Sequence, residues 1–202
     1  MNIIDLPNSC KVNKFIPKKT FIDKISNGKT IFKDIEKITW AYKLSPKTIN
    51  ILNTSIVEEI HIFDILLKAK EIPKQVLSEI KKLIPYPILF NLKYNDEFCY
   101  AISLVNEQKY YFTEFNELVE FNFTDTNLEK VYQNIVKKFL KNISNDNTVD
   151  FKQTLQNDTK ISTLKKEISS LQNKIKKEKQ FKKQLELSRQ LKPKEKELKG
   201  LL

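Results

Sequence analysis

A chain of 202 residues, 40% hydrophobic and 30% charged, is long enough for one ordinary core and an appendage. Two glycines in the whole chain exclude glycine-rich phosphate loops, and no run approaches the roughly 18 apolar residues of a membrane span, so a cytoplasmic protein of long helices and strands is expected. The net charge of +11 is uneven: residues 159–202 hold fourteen Lys/Arg against five Glu, +9, and the remainder of the chain is close to neutral at +2.

In chain order, residues 3–17 read as an ordered lead-in without long regular structure. A short helix is expected over 18–26, with Phe21, Ile22 and Ile25 inward and Asn27-Gly28 at its end. A second helix is expected over 30–38, because Ile31, Phe32, Ile35 and Ile38 share one face. Residues 39–44 alternate Trp40, Tyr42 and Leu44 as a strand does, Ser45-Pro46 breaks it, and 48–52 is a further β-like piece.

Residues 57–69 are apolar on both alternating faces, the mark of a strand central in a covered sheet. Pro73 opens a helix with the stripe Val76, Leu77, Ile80, Leu83, Ile84, and Pro85 and Pro87 end it before a second buried run, 88–92. Strand, covering helix and parallel strand make a right-handed crossover unit. The runs 88–94, 98–105 and 109–115 form an antiparallel meander with turns at 95–97 and 106–108. Thr126 or Asn127 caps a helix running to about residue 140.

Residues 142–158 are polar and read as a linker. Beyond them Ile161, Leu164, Ile168, Leu171 and Ile175 are spaced 3 and 4 apart, a coiled-coil seam that slips by one residue before Phe181 and Leu185. Pro193 is expected to kink or end that helix. The fold class is therefore α+β: a mixed sheet of five to six strands with packed helices, then a long C-terminal basic helix with a coiled-coil-like seam. The divisions are a core, 1–141, a linker, 142–158, and the basic helix, 159–202.

The phrases ITWAYKLSPKTINI (38–51), VEEIHIFDILLK (57–68), IPYPILFNL (84–92) and KEKQFKKQLELSRQLK (177–192) resemble a bacterial family, domain of unknown function 4391, from about residue 6 to residue 198. The tail departs from the family pattern at Lys182-Lys183 and Ser188-Arg189. The resemblance implies a genomic setting beside DNA helicases and adenine-specific DNA methyltransferases, in restriction-like or phage-defence groups. It brings no catalytic residues with it.

Candidate chemistry is sparse. Lys165, Lys166, Lys174, Lys176, Lys177, Lys179, Lys182, Lys183 and Arg189 lie on one expected helix that can neutralise phosphates, although a charged helix face is more often only solvated. Its seam, Ile161, Leu164, Ile168, Leu171, Ile175, Phe181 and Leu185, must pack on something: the protein's own body, a second copy, or a partner such as a helicase. Glu36, Asp64 and Lys68 follow the order of a restriction-endonuclease-like core, in which acids hold Mg²⁺ and a lysine orients water, but Leu66 stands where an acid is needed.

The single histidine, His61, reads as a core residue without ligand partners. Cys99 reads as core, whereas Cys10, in an irregular segment, is open to reaction. Disulfide pairing of the two is less plain than free thiols. The aromatics Tyr94, Phe98, Tyr100, Tyr110, Tyr111, Phe112 and Phe115 pack on helices or form a base-stacking platform. The expected function is that of a non-enzymatic accessory subunit of a DNA-modification or defence system. It binds a helicase or methyltransferase, or itself, and DNA through the basic helix, with no cofactor and no metal. The alternative is a Mg²⁺-dependent nuclease.

Overall fold

The structure, a computed structural model, describes residues 4–105, 109–140 and 150–202. The expected linker's residues 142–149 and the turn 106–108 lie outside them. The chain divides into two compact units, Met1–Phe139 and Leu140–Leu202. Among the described residues no helix is long and apolar enough to cross a membrane.

The first unit is a six-stranded mixed sheet whose strands lie in chain order: β1 (Lys11–Phe15), β2 (Ile35–Leu44), β3 (Ile60–Leu67), β4 (Ile88–Tyr94), β5 (Glu97–Ser103) and β6 (Tyr110–Phe112). Every neighbouring pair is antiparallel except β3 and β4, which are parallel and joined through α4 (Lys74–Leu83). The expected crossover is thus present, as is the meander of β4, β5 and β6. β3 is inside the sheet, with six of its eight residues buried.

Alternation sends the two faces of β3 and β4 to different cores. Phe63, Ile65, Phe90 and Leu92 meet Val76, Leu77 and Ile80 of α4, together with Phe21 of α1 (Lys19–Ile22) and Phe32 just beyond α2 (Gly28–Ile31). On the opposite face Tyr100 meets the Phe121 ring edge-on at 4.9 Å, and Phe121 meets Phe139 at 6.0 Å, after the helix α5 (Leu128–Lys137). Asn127 caps α5, its side chain accepting from the Lys130 amide, as expected.

Three local expectations are corrected. The segment 30–38 is not a helix: α2 ends at Ile31 and β2 begins at Ile35. Register shifts at Ile35/Lys37 and Trp40/Tyr42 insert extra residues into β2, so its buried residues Ile35, Ile38, Ala41 and Leu44 recur every third position. Two bulges imitate helical spacing. The piece 48–52 is β-like only at Leu52, which bridges Asn127; its start is helical, because Pro46 at the first helical position and the Thr48 hydroxyl, accepting from the Ser45 amide at 2.9 Å, open α3 (Pro46–Ile49). The lead-in holds the edge strand β1.

With so few glycines, left-handed backbone falls to asparagine: Asn13, Asn27, Asn50, Asn95 and Asn116 are the non-glycine residues with positive φ among those described. Gly28 has another reason to be glycine. A Cβ there would lie 2.6 Å from the Ile22 carbonyl oxygen, where α1 and α2 approach.

The second unit is a helical hairpin, not one long helix. α6 (Phe151–Lys177) begins inside the expected linker and ends at Glu178, and α7 (Phe181–Leu201) returns along it. Lys160–Glu197 at 2.6 Å and Glu167–Lys194 at 2.7 Å set the antiparallel register. Pro193 lies within α7 and does not end it.

Candidate functional site

The hairpin reverses over three residues. The Glu178 carboxylate accepts from the Gln180 and Lys179 amides, both at 2.9 Å, and the Gln180 bond leads in holding it below the usual carboxylate range. Gln184 donates to the Glu178 carbonyl at 2.7 Å. The apparent slip in the seam is this turn.

Ile161, Leu164, Ile168 and Leu171 are buried, and Ile175 is half-buried. On α7 the half-buried apolar positions are Leu187, Leu191, Leu198 and Leu201, spaced 4, 7 and 3 apart. The α6 part of the expected seam therefore faces the chain's own next helix. Phe181 and Leu185 are left off it, 78% and 44% exposed.

Six of the nine predicted phosphate-binding residues, Lys174, Lys176, Lys177, Lys179, Lys182 and Lys183, gather at the hairpin tip, where residues 174–183 contain one acid, Glu178. Lys165 and Lys166 lie further back on α6, and Arg189 further along α7. A helix C-terminus welcomes lysines, so Lys174, Lys176 and Lys177 suit the end of α6. Lys182 and Lys183 sit in the first turn of α7, against the dipole and with no acid in that turn. Among the described residues the tip lysines form no ion pair, while Lys160 and Lys194 further down do. The sequence reading missed Ser169, Ser170 and Asn173, which join Lys166, Lys174 and Lys177 in one shallow hollow on α6.

The nuclease-like trio is not assembled. Glu36 lies at a bulge of β2 and is exposed. Lys68 is just past the end of β3, four residues from Asp64, about 13 Å along an extended strand. The lysine partner of Asp64 is instead Lys93 on β4, at 2.6 Å, and the Asn91 amide donates to the other Asp64 oxygen at 3.0 Å. Asp64, Asn91 and Tyr100 are in register across β3, β4 and β5.

Burial, helped by the Asp64 charge, pushes the Tyr100 hydroxyl up to about 12, so it stays protonated. Asn91 is 3% exposed, and its Oδ1 accepts no hydrogen bond from the protein. It lines a hollow of about 210 Å³ with Lys93, Asn95, Glu97, Phe98 and Tyr100. The signal in the sequence was a polar residue inside a strand buried on both faces. Among the described residues no group of three His, Cys, Asp or Glu side chains is placed to hold a metal ion.

The remaining candidates are occupied. His61 is buried, its Nε2 at 3.0 Å from Glu59, with its ring 4.8 Å from Trp40 and 5.1 Å from Tyr86. Burial holds it below the ordinary imidazole range, opposed by Glu59, so it is neutral at pH 7 and donates to the carboxylate. Lys43 holds the second Glu59 oxygen at 2.6 Å. Glu59 thus serves the opposite end of β3 from Lys68.

Both cysteines are free and buried, as the sequence favoured. Cys10 is not the open thiol expected of its segment, since its Sγ lies 3.4 Å from the Thr48 carbonyl and burial raises its pKa. Tyr94, Tyr110, Phe112 and Phe115 pack on the α4 side of the sheet and form no platform. A hollow of about 700 Å³ beside the start of α4 has its lysines engaged: Lys70 pairs with Glu97 at 2.7 Å, and Lys74 lies over Phe112.

Comparison with protein families matches residues 4–198 to the domain of unknown function DUF4391, and the chain belongs to that family. No curated protein and no solved structure matches it significantly.

Proposed function

We propose that this member of the family is a non-enzymatic accessory subunit of a bacterial DNA-modification or phage-defence system. It works in the cytoplasm, holds DNA phosphates with the hairpin tip and docks on a helicase or methyltransferase partner. The observation that carries the reading is the concentration of six lysines at the tip, two of them placed against the α7 dipole. Such a cluster is held together at an electrostatic cost that a polyanion relieves. The hollow of Ser, Asn and Lys side chains along α6 continues it as a track for a phosphodiester backbone. Because α7 covers the α6 seam, the exposed apolar residues beside the tip, Phe181 and Leu185, are the ones assigned to a protein partner.

Fluorescence anisotropy with labelled duplex and single-stranded DNA tests this reading. The intact protein is expected to bind with a steep salt dependence, and a variant with Lys177, Lys179, Lys182 and Lys183 changed to Gln is expected to lose most of that binding. Equal binding by both proteins removes the tip from the reading. Phe181→Ser with Leu185→Ser is expected to abolish co-purification with a co-expressed helicase or methyltransferase partner and to leave DNA binding intact.

One observation favours the nuclease alternative: Asp64 and Lys93 lie side by side on adjacent central strands. Cleavage of DNA in Mg²⁺ that disappears with Asp64→Ala would replace the accessory reading.

A further inference from the structure

The hollow beside Asn91 combines three features. One of its lining residues, Asn91, is almost wholly buried and carries an amide oxygen that the protein leaves without a donor. The orientation of that amide is fixed, because Nδ2 must face the Asp64 carboxylate, which accepts but cannot donate. A buried acceptor without a partner is costly, and the cost falls when a ligand supplies the donor. Two donors line the same hollow. Tyr100, in register with Asn91, carries a hydroxyl kept protonated by burial and by the nearby carboxylate. Lys93, two residues along β4, gives one of its three hydrogens to Asp64. The half-buried Phe98 ring lines the same hollow, 5.6 Å from the Tyr100 ring.

The lining therefore supplies two donors and an acceptor beside an aromatic ring, in a space of about 210 Å³. A flat group that answers them carries two acceptors and a donor on one edge. An imide has this edge: the N3–H of uracil or thymine between its two carbonyls. Cytosine presents one donor and then two acceptors, and adenine presents an amino donor beside a ring-nitrogen acceptor and has no carbonyl. We propose that the Asn91 hollow binds the imide edge of a pyrimidine base, with Asn91 Oδ1 accepting from N3–H and the Tyr100 hydroxyl and Lys93 ammonium donating to the flanking carbonyls. The base stacks or leans on Phe98, as bases do on aromatic side chains of sheet proteins that hold single strands.

The choice of a nucleobase rests partly on the DNA reading above, so the test uses free nucleosides and leaves the hairpin out of it. Thymidine and uridine are titrated in EDTA into the ¹⁵N-labelled full chain, and the Asn91 side-chain amide signal is followed. Saturable shifts are expected with both. N3-methylthymidine, which has lost the donor, is expected to bind at least about 10-fold more weakly, the worth of one hydrogen bond. Tyr100→Phe keeps the ring and the packing and is expected to weaken thymidine by about 5- to 10-fold. Lys93→Met gives a second reading at a partly exposed position. If thymidine leaves the Asn91 signal unmoved, a bound water alone satisfies Oδ1 and the proposal fails. Equal affinity for the N3-methyl compound also overturns it, since stacking alone would then explain binding. Thymidine binding without DNA binding would overturn the hairpin reading and leave this one standing.

Discussion

The two units handle charge in opposite ways. In the sheet unit the charged groups close to the structure are matched: Lys43 with Glu59, Lys93 with Asp64, Lys70 with Glu97. In the hairpin the shaft is matched, Lys160 with Glu197 and Lys194 with Glu167, and the tip is not. The sheet unit gains its stability from residues distant in sequence, and its polar groups are placed by strand register. The hairpin is held by a seam between helices only three residues apart in the chain, and its surface is free to carry charge for another purpose. Charge that serves folding is paired, and the proposed DNA contact rests on the charge left against a helix dipole.

The largest test of this contrast is a core truncation. Phe90→Ala, at a fully buried position, is expected to cost about 3–5 kcal/mol in urea unfolding followed by the fluorescence of Trp40, the single tryptophan, which lies in the sheet unit. Leu171→Ala in the hairpin seam removes comparable packing from the other unit and is expected to leave the Trp40 transition where it was. A shift of that transition by Leu171→Ala would break the separation of the two units.

Next in size is DNA affinity. Changing four tip lysines to Gln is expected to lower it about 100-fold at low salt and to reduce the slope of log K against log salt by about 3 to 4. The same four changes are expected to leave thermal unfolding of the sheet unit unaltered.

A third test is pH. His61 is held below the ordinary imidazole range chiefly by burial, so the folded state binds fewer protons than the unfolded one. Stability from this residue is present above the ordinary histidine pKa and is lost as pH falls below it. Burial raises Glu59, but hydrogen bonds from Lys43 and His61 outweigh it, so Glu59 also stabilises at neutral pH and loses that contribution in acid. Denaturation midpoints by circular dichroism are expected to fall on acidification from pH 7. In His61→Gln the upper part of that fall, around pH 5 to 7, is expected to flatten.

The smallest effect is at a turn. Asn95, with φ of 51°, starts the two-residue link between β4 and β5. Asn95→Ala is expected to cost about 1 kcal/mol, and Asn95→Gly close to nothing.

The sequence made the crossover unit and the meander legible because both are marked locally, by prolines, turn residues and clean periodicity. It misled where one physical device imitates another. The bulges of β2 turned a period of two into a period of three, which reads as a helix. The hairpin turn Glu178-Lys179-Gln180 contains neither glycine nor proline, so the reversal showed only as a slipped seam, while Pro193 drew the expected break to the wrong place. The basic tip was visible as composition, but its shape was not. The Asn91 hollow was hidden for a different reason. Asp64, Asn91 and Tyr100 are separated by 27 and 9 residues, and only the β3–β4–β5 register brings them into line.

The left-handed asparagines bear on how relatives of this chain are to be compared. Glycine codons begin with GG and asparagine codons with AA, and the abundant Lys, Ile and Asn fit a genome rich in A and T. At Asn13, Asn27, Asn50, Asn95 and Asn116 the backbone demand is one that glycine meets at no steric expense and asparagine meets nearly as well. An Asn in this chain aligned with a Gly in a relative from a GC-rich genome then marks the same bend written in a different nucleotide alphabet, and such columns count as agreement between the two folds.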